Sequence, residues 1–252
     1  MTPRATLATT RRVLTQLRRD HRTAAMLLVL PCLILALLAW MFADAAGGLG
    51  FDSLGPPLLA LIPFIVMFLV TSVTTLRERS SGTLERLLAM PTGKGDFLGG
   101  YALAFGLGAA VQSVLAVLLC FGVLGLDVAG PVWMLVVVAV CDAVLGSALC
   151  LFVSAFARTE FQAVQFLPLV VFPQLLLCGL FIPRDQMPPA LEAISNVLPL
   201  SYAVDAMTSV SSTVGDARGG VDPAVWSDLA VVVGFAVAAL AGGAGTLRRR
   251  TE

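Results

Sequence analysis

The sequence predicts an all-α integral membrane protein with six transmembrane helices, and three observations carry that prediction. Only 13% of the residues are charged against 58% hydrophobic, with a mean hydropathy of +0.92. Soluble domains carry about 25% charged residues. Six apolar runs divide the chain, each near the roughly 20 residues that a bilayer core demands. Fourteen of the sixteen Lys and Arg residues fall in alternate polar segments, the bias that places basic loops on the cytoplasmic side.

Taken in order, residues 3–22 are not a span. Leu7, Leu14 and Leu17 share one helical face with Val13 beside them, and Arg11, Arg12, Arg18, Arg19 and Arg22 fill the rest. Such a basic amphipathic helix lies along anionic headgroups; a solvated basic arm is the alternative. The first span is placed at about 24–43, with Pro31 positioned to kink it. A Gly-rich loop, 44–56, leads to the second span, 57–76. A polar segment, 77–96, precedes the third, 97–124. A tight turn at 127–131 opens the fourth, 132–156, and a brief polar break, 157–160, the fifth, 161–182. A moderately polar segment, 183–222, separates it from the sixth span, 225–246, which ends before Arg248, Arg249 and Arg250.

The whole chain, 1–252, therefore reads as one transmembrane domain in the lipid bilayer, multi-pass, with both termini cytoplasmic. Lys94 is the only Lys, and the richness in Ala, Val, Gly and Leu points to a high-GC bacterial genome, hence to a bacterial cytoplasmic (inner) membrane. The apolar run from Ala24 leads to Trp40, Met41 and Phe42 without a small-residue cleavage site, which argues against a cleaved signal peptide. Cys32, Cys120, Cys141, Cys150 and Cys178 all sit in apolar runs. An odd count with no C-x-x-C excludes a disulfide framework or zinc site and leaves them as small packing residues. No metal site is expected, and His21, the only His, faces the headgroups.

The segment 77–96 carries a short helical signature. Leu84, Leu87 and Leu88 fall at i, i+3 and i+4, Ser81 or Gly82 caps the start, Glu85 suits the first turn and Pro91 stops it. A short amphipathic helix of this kind fits a groove on a cytoplasmic partner or rests on the bilayer.

Two motifs in this order resemble a known family. Glu78-Arg79-x-x-Gly82-Thr83-Leu84-Glu85-x-Leu87-Leu88-x-x-Pro91 is similar to the coupling loop of ABC type-2 permeases, the membrane subunits of bacterial exporters of drugs, lipids and polysaccharides. Cys178-Gly179-Leu180-Phe181-Ile182-Pro183, then Met187-Pro188, then Asn196-Val197-Leu198-Pro199-Leu200-Ser201-Tyr202 is similar to that family's exit from the fifth helix, two short outer helices and following turn. Cys178 departs from the small hydroxyl residue common there. The resemblance covers essentially the whole chain, and the drug- or lipid-efflux permeases of actinobacterial type are its nearest form.

The resemblance implies a coupling helix that docks on a separate ABC ATPase subunit. Leu84, Leu87 and Leu88 would insert, while Glu78, Arg79, Glu85 and Arg86 would pair with the partner's surface, framed by Gly82, Thr83 and Pro91. It implies an outer gate around Gly179, Phe181, Pro183, Pro188, Pro199 and Tyr202, partly re-entering the membrane. It also implies a second permease subunit, as homo- or heterodimer, and a small amphipathic drug, antibiotic or lipid as cargo, with no nucleic acid among the partners.

The chain has no catalytic site of its own. A P-loop needs G-x-x-x-x-G-K-[ST], and the only Gly-Lys, Gly93-Lys94, is followed by Gly95. ATP and Mg would belong to the partner subunit, with no cofactor bound by this chain. Gly93-Lys94-Gly95-Asp96 fits a G-x-G-D protease pattern, but that chemistry needs two carboxylates sharing a proton, and Asp142 is far from Asp96 in sequence. Asp142 is the one carboxylate expected inside a span, where a charge costs about 3 kcal/mol. It either packs as a hydrogen-bonded residue or, with Gln112, Gln165 and Gln174, marks a substrate path. The alternative function is a proton-coupled secondary transporter centred on Asp142.

Overall fold

A computed structural model describes residues 3–43, 50–80, 94–154, 156, 160–212 and 221–246. Its helices are α1 (Pro3–Arg19), α2 (His21–Phe42), α3 (Phe51–Ser80), α4 (Lys94–Gly122), α5 (Val132–Ser154), α6 (Glu160–Leu177), α7 (Pro189–Ser195), α8 (Pro199–Ser212) and α9 (Pro223–Thr246), with a 3₁₀ turn at Arg184–Gln186. No strand occurs among the described residues. The molecule is an all-α membrane protein. Within the described residues α2, α3, α4, α5 and α9 are long and apolar enough to cross a bilayer, and in α6 the apolar stretch is the shorter Pro168–Leu177.

The helix at the centre is α3. Every residue from 55 to 64 is buried, because α2, α5, α6 and α8 pack around it. A helix apolar on all sides buries all sides. Outer helices are two-faced by environment rather than by polarity. In α2, Leu27, Pro31, Leu35 and Ala39 face the core, whereas Val29, Leu33, Leu37 and Trp40 lie exposed on the opposite side. In water so much exposed apolar surface is a liability; against lipid it is the ordinary condition. Trp133 and Trp226, at the starts of α5 and α9, stand with ring centroids 6.5 Å apart, half exposed as interfacial Trp residues are.

Small residues set the closest approaches. A Cβ at Gly146 of α5 would stand 2.5 Å from the Phe64 carbonyl oxygen of α3, so the two backbones nearly touch, as small residues allow in membrane bundles. Gly100 does the same for α1, where a Cβ would lie 2.5 Å from the Thr9 Cβ. Thr10 Oγ1 donates to the Gly100 carbonyl at 3.1 Å, and Arg12 Nη2 donates to the Tyr101 hydroxyl at 2.6 Å.

This docking changes the expected reading of α1. The face turned to the bundle is Thr10 and Val13, while Leu7 is left 62% exposed; Leu14 and Leu17 are only partly buried against the core. Hydroxyls and a glycine seat, rather than the leucine stripe, decide the contact. The expected segment 3–22 is also two elements: Asp20 separates them, and α2 begins at His21.

Other boundaries shift for local reasons. α3 begins six residues before the expected start at 57, running through Pro56 and Pro57, each forgoing one backbone hydrogen bond. Helices α4 and α5 end two residues short of the expected 124 and 156. The fifth span, expected to reach 182, ends as helix at Leu177. Gly179 turns the chain there with φ +94°, and the Leu177 carbonyl is taken by hydroxyls from α7 and α8.

Candidate functional site

Three places hold the residues singled out by sequence. The first is the root of segment 77–96. Asp20 ends α1 and caps α2, accepting from the Arg22 and Thr23 amides at 3.2 and 3.3 Å and from the Thr23 hydroxyl at 2.7 Å. Arg77, in the last turns of α3, donates to the same carboxylate. The Thr23 hydroxyl first, then the Thr23 amide and Arg77, outweigh burial and hold the Asp20 carboxyl down at about 2. The surface helix, the first span and the base of the segment thus meet at one carboxylate. Glu78 and Arg79 continue α3 as backbone. Gly82, Thr83, Leu84, Glu85, Arg86, Leu87, Leu88 and Pro91, the expected coupling helix, lie outside the described residues.

At the opposite end of the bundle is a cap built from the 3₁₀ turn, α7 and α8. Ser195 and Ser201 both donate to the Leu177 carbonyl, at 2.7 and 3.3 Å, and their hydroxyls lie 3.1 Å apart. Gln174, 3% exposed, donates to the Val170 carbonyl at 3.2 Å while its Oε1 accepts from the Leu200 amide at 3.4 Å. The last turn of α6 is thereby stitched to α8, whose Leu200, Ala203, Val204, Ala206, Met207 and Val210 enter the core.

Over this stitching lies Arg184. Its guanidinium donates to Asp205 of α8 and to the Asn196 side-chain oxygen after α7, and stands 4.8 Å from the Tyr202 ring centroid. Tyr202 in turn donates to the Asn196 carbonyl at 2.8 Å. Of the expected gate residues, Gly179 supplies the turn, Pro183 precedes the 3₁₀ turn and Pro188 caps α7. Pro199 is buried at the start of α8, and Phe181 is 66% exposed. Arg184 and Asp205 were not singled out by sequence, and Asn196 entered only as the first residue of a motif. The available signal was that Arg184 is one of only two cations in its class of loops.

The third place is the bundle interior. Gln112 on α4 and Asp142 on α5 are 1% and 0% exposed, and neither side chain has a hydrogen-bond partner. Ser113, next to Gln112, donates to the Ala139 carbonyl at 3.1 Å, which sets the two residues at similar depth on packed helices. Thr71 of α3 likewise has an unpartnered buried hydroxyl. Gln165 is elsewhere: it is exposed on α6 in an open groove of about 440 Å³ lined also by Phe156, Gln162, Phe166 and Leu169. The four expected path residues therefore do not line one passage within this chain.

Residues 4–211 match the family described as ABC-2 type transporter. Among curated proteins, the chain is 28% identical over 159 residues to ABC transporter G family member 20 of Dictyostelium discoideum, covering 63% of this chain and 22% of that protein. It is 28% identical over 155 residues to the inner membrane transport permease YhhJ of Escherichia coli, covering 60% and 41%. It is 23% identical over 156 residues to the probable multidrug ABC transporter permease YbhS of Escherichia coli, covering 62% and 41%. The match thus spans about two fifths or less of the length of these relatives.

Proposed function

Because the chain belongs to the ABC-2 type transporter family, we propose that this membrane permease is the transmembrane subunit of an ATP-driven exporter of small amphipathic drugs or lipids. The observation that carries the reading is the family match over residues 4–211. The relative named as a probable multidrug ABC transporter permease, YbhS, supports the class of cargo.

In this reading the Asp20–Arg77 end faces the cytoplasm and the Arg184 cap faces outward, as the fourteen-to-two distribution of Lys and Arg favours. The segment 77–96 docks on a separate ABC ATPase, which binds ATP and Mg and supplies the energy of hydrolysis. Movement of that segment reaches α3 through Arg77 and reaches α1 and α2 through Asp20, since all three share one carboxylate. Because α3 is enclosed by its neighbours, its displacement shifts the bundle as a packed body. Two permease subunits enclose the cargo, and Gln165, exposed on α6, belongs to the surface between them.

The test is reconstitution. The chain co-purified with an ABC ATPase should move an amphipathic dye across proteoliposomes only with ATP and Mg. Transport by the chain alone on a proton gradient would sink the reading. The unpartnered Asp142 favours that second, proton-coupled reading, which requires Asp142→Asn to abolish transport.

A further inference from the structure

The side chains that hold Arg184 form a cage in their own right. A carboxylate (Asp205), an amide oxygen (Asn196) and an aromatic face (Tyr202) converge from α8 and the end of α7 on one guanidinium. Carboxylate and carbonyl oxygens accept from N–H donors, and the ring face attracts a cation held within about 6 Å. This is the donor set that recognises organic ammonium and guanidinium groups. Asp228 of α9 lies within electrostatic reach of both Asp205 and Arg184. The cage is also approachable, since the Asp205 side chain is 38% exposed while Arg184 is 16% exposed.

Arg184 reaches the cage from the strap 178–188, which is also anchored by the buried Cys178 and Met187. α7 and α8 are held to α6 independently, through Ser195 and Ser201 on the Leu177 carbonyl. At the foot of the strap Cys178 is 0% exposed, its thiol donating to the Leu175 carbonyl at 3.3 Å. Withdrawal of Arg184 would therefore loosen the strap between the buried Cys178 and Met187 without dismantling the helices beside it.

We propose that the Asp205–Asn196–Tyr202 cage is a cation-binding site occupied by the chain's own Arg184, and that a substrate bearing an ammonium or guanidinium group displaces Arg184 and releases the cap. The inference deepens the exporter reading and rests on it for the outward placement of the cap. Arg184 acts as an internal ligand: bound, it pins the strap beside Cys178, and displaced, it frees it.

Cys178 is a native reporter. In full-length chain with Cys32, Cys120, Cys141 and Cys150 changed to Ala, a membrane-impermeant maleimide applied to intact cells should label Cys178 slowly. Arg184→Ala should accelerate labelling roughly tenfold, the effect of losing one charge-assisted contact, and millimolar ethylguanidinium should accelerate labelling of the Arg184-bearing protein while leaving Arg184→Ala unchanged. Asp205→Asn, with Arg184 retained, should show the same acceleration and no response to ethylguanidinium. Labelling of Arg184→Ala at the parent rate, with helix content preserved, overturns the proposal. Failure of ethylguanidinium to accelerate labelling of the Arg184-bearing protein also overturns it, reducing the contact to a structural ion pair. If Arg184→Ala does not accumulate, a parent-like rate in Asp205→Asn overturns it equally. Labelling confined to inverted vesicles would instead overturn the outward placement, while the dependence on Arg184 still decides the cage.

Discussion

At the scale of single residues, Asp142 separates the two transport readings. Its oxygens are buried without partners, and such a group at the centre of a span costs up to about 3 kcal/mol. Asp142→Leu should therefore raise the unfolding midpoint in detergent, by up to about 3 kcal/mol of stability. Asp142→Asn should leave ATP-driven export intact. Gly146 is the opposite case: Gly146→Ala drives a Cβ against the Phe64 carbonyl 2.5 Å away and should cost about 1–3 kcal/mol of overpacking, read as a lowered midpoint. Sequence made Asp142 conspicuous because a lone carboxylate stands out in an apolar run. It could not reveal the Arg184 cage, whose ion-pair partners are 21 residues apart and meet only because Gly179 and two prolines fold the strap back.

At the scale of elements, long apolar runs were legible and their ends were not. The fifth span's apolar run continues through Leu180, Phe181 and Ile182, yet the helix stops where Ser195 and Ser201 claim its terminal carbonyl; hydropathy carries no trace of that competition. Likewise α1 was visible as an amphipathic helix, but Thr10, Val13 and a glycine seat choose its buried face. The joint after α1 has a pH signature. The Asp20 carboxyl is held at about 2 against an ordinary 3.8, so its contribution is complete above pH 3.8 and is lost as pH falls from there toward 2. Hydrogen exchange at the Arg22 and Thr23 amides should rise across that window, and Asp20→Ala should remove the dependence at a cost of about 1 kcal/mol.

At the scale of the whole molecule, membrane character and family followed from composition, charge order and two motifs. The proposed assembly with an ATPase and a second permease subunit did not, because a single chain shows neither. The orientation is testable without either. Single cysteines placed at Asp185 and at Arg18 should react with an impermeant maleimide on intact cells in the first case and only on inverted vesicles in the second. Reaction from the same side would refute an odd number of crossings between them.

The seat of α1 on α4 has a consequence for biosynthesis. Thr10 bonds to a glycine 90 residues further along the chain, so at about 5–20 residues per second the surface helix is complete roughly 5–20 s before its seat is made. Throughout that interval its seat on α4 does not yet exist. A basic face suited to anionic headgroups is then a holding position during synthesis, and the hydroxyls on its other face wait for the third span to arrive.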